Sequence, residues 1–360
     1  MARSATATIH LDALRDNLAR VRVQAQGAKI MAVVKADAYG HGLERCARAL
    51  SGADAFGVAS IADGLRLRAA GHRQRIVVLS GPDAASDLAE MRRLQLEAVI
   101  HHDSQLDMLA AERGAPRLRV WLKLDTGMHR LGFPVEHAIE LFERLRAMPA
   151  VDPGIVLMTH FASSEDFDND FTALQTQRFL DSTRDLSCER SLCNSAGVLG
   201  WPAARGDWAR VGGLLYGLSV AEGKTGADFG FAPAMTLTTR LIAIHRIARG
   251  ERIGYGSLYE CPEDMDIGVA AIGYGDGYPR SARSGTPVRV GDAAAAVIGR
   301  VSMDLLTLDL RSAPDAKVGD VVTLWGPQLP VEVIAQHAGT ISYELTCGVT
   351  RRVLFTEDGT

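Results

Sequence analysis

Apolar positions along the first two thirds of the chain recur in a fixed rhythm. A helical stripe comes first, with Leu11, Leu14, Leu18 and Val21 spaced three to four residues apart. Short apolar runs follow: IMAVV (30–34), AFGVA (55–59), RIVVL (75–79), LEAVI (96–100), LRVWLKL (118–124), GIVLMTH (154–160), SLCNS (191–195) and WARVG (208–212). Helix-like segments separate most of them, such as 61–70, where Ser60 can cap the start and Gly71 the end. Strands that are apolar throughout, each followed by a helix, predict a parallel sheet covered on its outer face. Eight such units in about 200 residues predict an α/β fold, a (β/α)8 TIM-like barrel. An open doubly wound sheet is the alternative, but no G-x-G-x-x-G follows the first strand.

Beyond about residue 233 the period changes. MTLTTRLIAIHRI, PVRV, AAAAVIG, MDLLTLDL and DVVTLWG are short alternating runs punctuated by Gly, Pro and Asp. They predict antiparallel strands of a mostly β C-terminal domain. The expected division is therefore a barrel over 1–233 and a β domain over 234–360, joined near Phe229–Pro233.

Composition narrows the class. The 360 residues are 47% hydrophobic and 23% charged, with a formal net charge of -4 and both signs scattered. No basic block points to nucleic acid. No run approaches the roughly 18 apolar residues of a membrane span, and the N-terminal stretch has no signal-peptide core. The five cysteines (Cys46, Cys188, Cys193, Cys261, Cys347) form no C-x-x-C. Reduced thiols in a cytoplasmic protein are the expectation, with a Cys188–Cys193 pair as the alternative.

In a barrel of this kind, chemistry sits at the carboxyl ends of the strands. The first predicted strand ends at Lys35, the fifth carries Lys123 and Asp125 and leads to Arg130, and the sixth ends at His160. The seventh ends at Asn194 and Ser195, and the eighth runs through Arg210 to Gly212 and Gly213. An amine emerging from four apolar residues is desolvated, which favours its neutral, nucleophilic form. A lysine that merely lies along apolar surface is the alternative. Ser195, Tyr39 and the backbone of Gly212 and Gly213 can meet a phosphate, although glycines after strands also serve plain turns. His160 has Asp166 and Asp168 nearby but no HxH or HExxH, so a structural or stacked histidine is expected and no metal site.

Taken together, these residues resemble the alanine racemases, a branch of the fold-type III pyridoxal-phosphate enzymes. AVVKADAYGHG (32–42), LKLDTGMHRLGF (122–133), THFASSE (159–165), NSAG (194–197), ARVGGLLYGL (209–218), GYGSLY (254–259), IGYGDGYPR (272–280) and GRVSMD (299–304) follow in the family's order over nearly the whole chain. The resemblance implies pyridoxal 5'-phosphate held by Lys35, L- and D-alanine as substrates, and a homodimer with shared active sites. Lys35 would be the base on one face of the substrate, and Tyr255, from the second subunit, the base on the other. Tyr39, Ser195, Gly212 and Gly213 match positions that hold the phosphate. Asn194 falls in the same NSAG motif and is grouped with the cofactor residues. Arg210 matches the group facing the pyridine nitrogen, and His160 lies beside the ring. Arg130 and Met303 match contacts to the substrate carboxylate, and Lys123 matches a lysine often carbamylated in the family. Tyr274, Arg280, Arg300 and Asp304 resemble residues of the approach channel. Near the C-terminus, CGVTRRV (347–353) puts Arg351 where some members have a phosphate-binding tyrosine, and Glu165 stands where some carry aspartate.

The chemistry has a reason. Racemisation removes a proton from one face of a carbon and returns one to the other, so two bases on opposite faces are a direct solution. A fold-type III decarboxylase, a non-catalytic cofactor-binding barrel and a metal-dependent barrel hydrolase are the rival classes. GYGSLY and the second domain weigh against the first two, and the missing metal motif against the third. The motifs do not distinguish D-alanine supply for peptidoglycan from alanine catabolism.

Overall fold

A computed structural model describes residues 5–359. The first strand, β1 (Thr6–His10), leads into the helix Leu11–Gln24, whose Leu11, Leu14, Leu18 and Val21 are buried as their spacing predicts. The barrel is then laid down as β2 (Lys29–Val33), β3 (Ala55–Val58), β4 (Arg75–Val78), β5 (Glu97–Ile100), β6 (Val120–Asp125), a two-residue β7 (Phe133–Pro134), β8 (Val156–Met158), β9 (Glu189–Ser191) and β10 (Trp208–Val211). Parallel pairing runs from β10 through β2 to β6, then to β8 and β9. Where β9 and β10 do not pair as strands, the Arg210 N–H donates to the Cys193 carbonyl at 3.0 Å, and Ser191 Oγ to the Trp208 carbonyl at 3.1 Å. The result is a nearly closed eight-stranded parallel barrel with helices outside.

The predicted strands coincide with the observed ones to within a few residues, and the seventh differs most. It ends at Ser191 rather than Ser195, because the Asn194 side chain accepts from Gly197 N–H at 2.8 Å and starts a helix, Ser195–Gly200. Ser60 caps the helix Ile61–Ala69 through a 3.1 Å bond from Asp63 N–H.

Two faces of the barrel strands bury different things. Outward residues join the main core beneath the helices. Inward ones (Met31, Ala55, Val77, Val99, Trp121, Val156, Met158 and Trp208) fill the barrel axis. The N-terminal end is sealed by paired charge. Arg75 grips Glu97 through two bonds of 2.5 and 2.7 Å and lies over the ring of Trp208 at 4.7 Å. Trp121 Nε1 donates to Glu97 at 2.7 Å, and Trp208 Nε1 to Glu189 at 2.8 Å.

The second unit is built on β11 (Met235–Ile247), with the expected runs forming Pro287–Val290, Ala293–Ile298, Leu306–Asp309 and Val321–Trp325 in an eight-stranded sheet. It also holds two helices, Val331–Ala338 and Ser342–Gly348. The division at 1–233 needs correction at its start. β1 pairs antiparallel with β11 and parallel with the last strand, Leu354–Asp358, so the chain begins in the β unit and then enters the barrel. The run TATIH alternates too briefly to be told from a loop by pattern alone. All five cysteines are free; Cys46, Cys193 and Cys261 are buried, Cys188 is half-buried and Cys347 is exposed.

Candidate active site

The mouth of the barrel opens into a cavity of about 980 Å³. Its lining includes Lys35, Tyr39, Lys123, Arg130, His160, Asn194, Ser195, Arg210, Gly212 and Gly213; Asp125, Asp166 and Asp168 are not among the lining residues. They come from the ends of five strands, β2, β6, β8, β9 and β10, which is why candidates scattered from Lys35 to Gly213 in sequence share one space.

Lys35 follows β2 by two residues and enters an unusual turn. Ala36, Asp37, Ala38 and Tyr39 are all left-handed, with φ between 52° and 56°. This reversal swings Tyr39 back over the mouth. A Cβ built on Gly212 would collide with the Tyr39 hydroxyl, and one on Gly213 with the Tyr343 hydroxyl. Glycine is needed at both positions because two phenols crowd the same stretch of backbone. Gly212 N–H donates to Ser195 Oγ at 3.0 Å. Three hydroxyls thus gather around one glycine pair, the arrangement a phosphate's acceptor oxygens require.

Electrostatics at the mouth favour an anion. Burial, and then the nearby charge of Arg130, lowers the Lys35 amine below its ordinary value. Lys123 is pulled down to about 8 by burial, with Arg210 and Arg130 adding to the effect and Asp125 opposing it. Arg210 is buried, and its donations go to the carbonyls of Ser191 (2.8 Å), Thr159 (2.6 Å) and Leu192 (3.3 Å) and to Ser191 Oγ (2.8 Å), none of them a carboxylate. Burial draws it down to about 10, so it stays charged at neutral pH. Arg210 Nη2 also meets His160 Nδ1 at 3.2 Å, and burial next to Arg210 pushes that imidazole far below its usual range. His160 is therefore a neutral ring whose Nδ1 accepts.

Tyr255, Tyr274, Arg280, Arg300, Met303 and Asp304, the candidates from the β unit, do not line this cavity in the same chain. Tyr255 is 69% exposed on a loop bent by Gly254 and Gly256, and Met303 is 53% exposed. Tyr274, Arg280, Arg300 and Asp304 are exposed as well. Two of these loops are tied together: Tyr274 N–H donates to the Ser302 carbonyl and Gly275 N–H to the Met303 carbonyl, and Arg352 bonds both Asp276 and Asp304.

One expectation needs correcting. Arg351 is exposed and is not among the residues lining the cavity; Tyr343, eight positions earlier, is. It sits on the helix Ser342–Gly348, and its hydroxyl reaches the Ser219 carbonyl at 3.4 Å and packs against Gly213. Tyr343 was not among the residues singled out in the sequence, where only Arg351 was noted in this region. The signal was Ser-Tyr-Glu at 342–344, a polar break ahead of a helical stretch. Glu165 does line the cavity.

A parallel barrel with a cation-rich mouth, a low-pKa amine and a three-hydroxyl cradle defines a barrel enzyme built to act on small anionic ligands. Residues 9–220 match the family model for the alanine racemase N-terminal domain, and residues 234–356 that for the C-terminal domain. An alanine racemase of Nitrosococcus oceani is 51% identical over 96% of this chain and 97% of its own length. The crystal structure of the biosynthetic alanine racemase from Pseudomonas aeruginosa superposes with a TM-score of 0.96 at 42% identity, covering 99% of this chain and 100% of that one. That of the alanine racemase from Bartonella henselae, with covalently bound pyridoxal phosphate, has a TM-score of 0.89 at 24% identity and covers 99% of each chain. The chain belongs to the alanine racemase family, and its reaction is the interconversion of L- and D-alanine.

Proposed function

We propose that the barrel mouth holds pyridoxal 5'-phosphate on Lys35 and that Tyr255 of a second copy of the chain completes the site. The observation that carries this is the pairing of the depressed Lys35 amine with the cradle of Tyr39, Ser195 and Tyr343 hydroxyls around Gly212 and Gly213. An amine in its neutral form can bond an aldehyde carbon, and the hydroxyls can hold a phosphate. The fit extends to the ring: Arg210, charged and lacking a carboxylate partner, would face a ring nitrogen as a donor and so keep it unprotonated. Neutral His160 would lie beside the ring, with Asn194 shaping the cradle by capping the helix that carries Ser195.

When bound, the cofactor supplies an electron sink that makes the substrate's α C–H acidic. The protein's own groups do the rest. Arg130 at the mouth and the Met303 backbone N–H of the partner subunit would orient the substrate carboxylate. In one direction the Tyr255 Oη of the partner subunit takes the α-proton from one face, and the Lys35 Nζ returns a proton to the other. One proton leaves the substrate and one is returned in each turnover, so none is consumed, and the reverse direction exchanges the two roles. Lys123, near neutrality and ringed by cations, is poised to take up CO₂ as a carbamate, which would turn a repulsive neighbour of Arg130 into an attractive one.

Exposure on the β unit supports the shared site. Tyr255, Leu258, Met303 and Leu305 are large apolar side chains left open to solvent on two segments, 255–258 and 303–305, and the backbone at Gly254 lies beside that of Arg300; a partner mouth would cover them. Tyr274, Arg280, Arg300 and Asp304 would line the approach to it. Among the described residues, no helix is long and apolar enough to cross a membrane.

The test is optical and isotopic. Purified protein is titrated with pyridoxal phosphate, and L- to D-alanine exchange is followed in deuterated water for wild type, Lys35→Ala and Tyr255→Phe. A lysine-bound absorbance band lost in Lys35→Ala, with exchange impaired in both variants, is the expected result. A colourless protein, or full exchange in Tyr255→Phe, would overturn the proposal.

A further inference from the structure

The turn that carries Lys35 and Tyr39 is conformationally uphill. Its four left-handed residues each cost roughly 1–2 kcal/mol for a side chain with a Cβ, so packing around the turn has to hold it in place. Part of the hold is backbone: Ala38 N–H donates to the Val34 carbonyl at 2.9 Å and Gly40 N–H to the Ala36 carbonyl at 3.0 Å. Part is Asp37, whose carboxylate accepts from Leu43 N–H at 3.1 Å and from Arg66 at 2.8 Å. The side-chain hold on the turn's last two carbonyls comes from one imidazole. His41 Nδ1 lies 3.1 Å from the Ala38 oxygen and 2.9 Å from the Tyr39 oxygen. Both partners are acceptors, so Nδ1 carries the proton and Nε2 is bare.

His41 is fully buried, and burial draws it down to about 4, which keeps it neutral. Its ring packs on Tyr216 at 4.7 Å, Tyr216 packs on Tyr39 at 4.8 Å, and the Tyr216 hydroxyl donates to the Val33 carbonyl at 3.0 Å. His41 Nε2 and Trp325 Nε1 are both buried with no hydrogen-bond partner among the described residues. Both residues line one cavity of about 10 Å³, close to the size of a single water. A water there would accept from Trp325 and donate to Nε2, in keeping with the tautomer that the two carbonyls impose on Nδ1.

We propose that His41 is a positioning residue for the cofactor lysine: its Nδ1–H clamps the Ala38 and Tyr39 carbonyls and so holds the left-handed turn that aims the Lys35 amine and the Tyr39 hydroxyl. The inference rests on Lys35 being the residue that bears pyridoxal phosphate. His41 is not among the residues lining the cavity, so it acts through the turn.

Asn and Leu are alike in shape and differ in the donor, so His41→Asn and His41→Leu form a matched pair; His41→Phe keeps a ring without its nitrogens. Each protein is stripped of pyridoxal phosphate and titrated back, following the lysine-bound absorbance band and the off-rate, with melting of the stripped forms measured alongside. His41→Leu and His41→Phe should bind at least about tenfold more weakly than wild type, with His41→Asn within about threefold, the span one buried hydrogen bond supports. Equal affinities for the Asn and Leu variants, or losses that only track melting, would overturn the proposal. Should His41→Phe not fold, the matched pair decides alone. A wild type with no lysine-bound band overturns the Lys35 assignment and this one with it; a normal wild-type band with an unaffected Leu variant overturns this one alone.

Discussion

The two ends of the barrel solve the problem of charge in opposite ways. At the N-terminal end, cations are matched with acids: Arg75 with Glu97, and Lys29 with Glu189 at 2.5 Å, beneath a pair of tryptophans. At the C-terminal end burial lowers the basicity of Lys35 and Lys123, the charges of Arg130 and Arg210 add to the effect, and Arg210 is held by carbonyls. The paired end is a seal that contributes stability. The unpaired end stores repulsion that an anionic ligand relieves, and its strained turn adds to the cost. Stability and function are thus assigned to opposite ends of the same strands.

Four changes would break or sharpen that comparison. The largest effect is expected for Lys35→Ala, which should lose the lysine-bound absorbance band and lower the exchange rate by about 10⁴-fold or more, from the loss of both cofactor attachment and one base; melting should hardly move. Next, Tyr255→Phe should cut exchange by about 10²–10⁴-fold, as expected when a single proton-transfer group is removed, while the band remains. At the sealed end, Glu97→Ala leaves half-buried Arg75 with only the more distant Glu189, at 3.9 Å, and Trp121 without its acceptor. A loss of about 1–3 kcal/mol in chemical denaturation is expected, with kcat per folded molecule unchanged. A drop in kcat that exceeds the folded fraction would erase the division of labour between the ends.

The smallest effect has the opposite sign. Lys123 titrates lower in the folded chain, at about 8, than its ordinary 10.5. Below pH 8 the folded state bears the full penalty of a charged buried amine, and the penalty fades as pH rises from 8 towards 10.5, because the unfolded chain then binds more protons. Lys123→Met should therefore melt higher than unmodified wild type at pH 7, by on the order of 1 kcal/mol, with the advantage shrinking above pH 8. A variant less stable than wild type at pH 7 would indicate that Lys123 is already neutralised, and mass spectrometry for one added CO₂ would show how.

Most of the architecture was legible in the chain because burial leaves a periodic trace. The eight apolar runs, the stripe of Leu11, Leu14, Leu18 and Val21, and the alternation in β11 each reflect a single face or layer meeting the core. The barrel half of the site was legible for a related reason. Strand ends can be read from the runs, and Lys35, Lys123, His160 and Arg210 stand at or near them. What failed was non-local or too short to carry a period: β1, whose place is set by strands more than 200 residues away in sequence, and Tyr343, which reaches the mouth by packing of the β unit.

The sequence by itself therefore determined the repeating strand–helix order, the second β-rich unit and the identities of the groups at the barrel mouth, since these depend on local pattern and residue type. Tertiary structure alone decided that the first strand joins the last, that Tyr343 and not Arg351 lines the cavity, and that Arg210 is held without an acid. It also decided that Tyr255 is exposed and does not line its own chain's cavity. Those outcomes depend on distances between segments remote in sequence, and such distances are fixed by packing and by the direction in which each chain segment leaves the core.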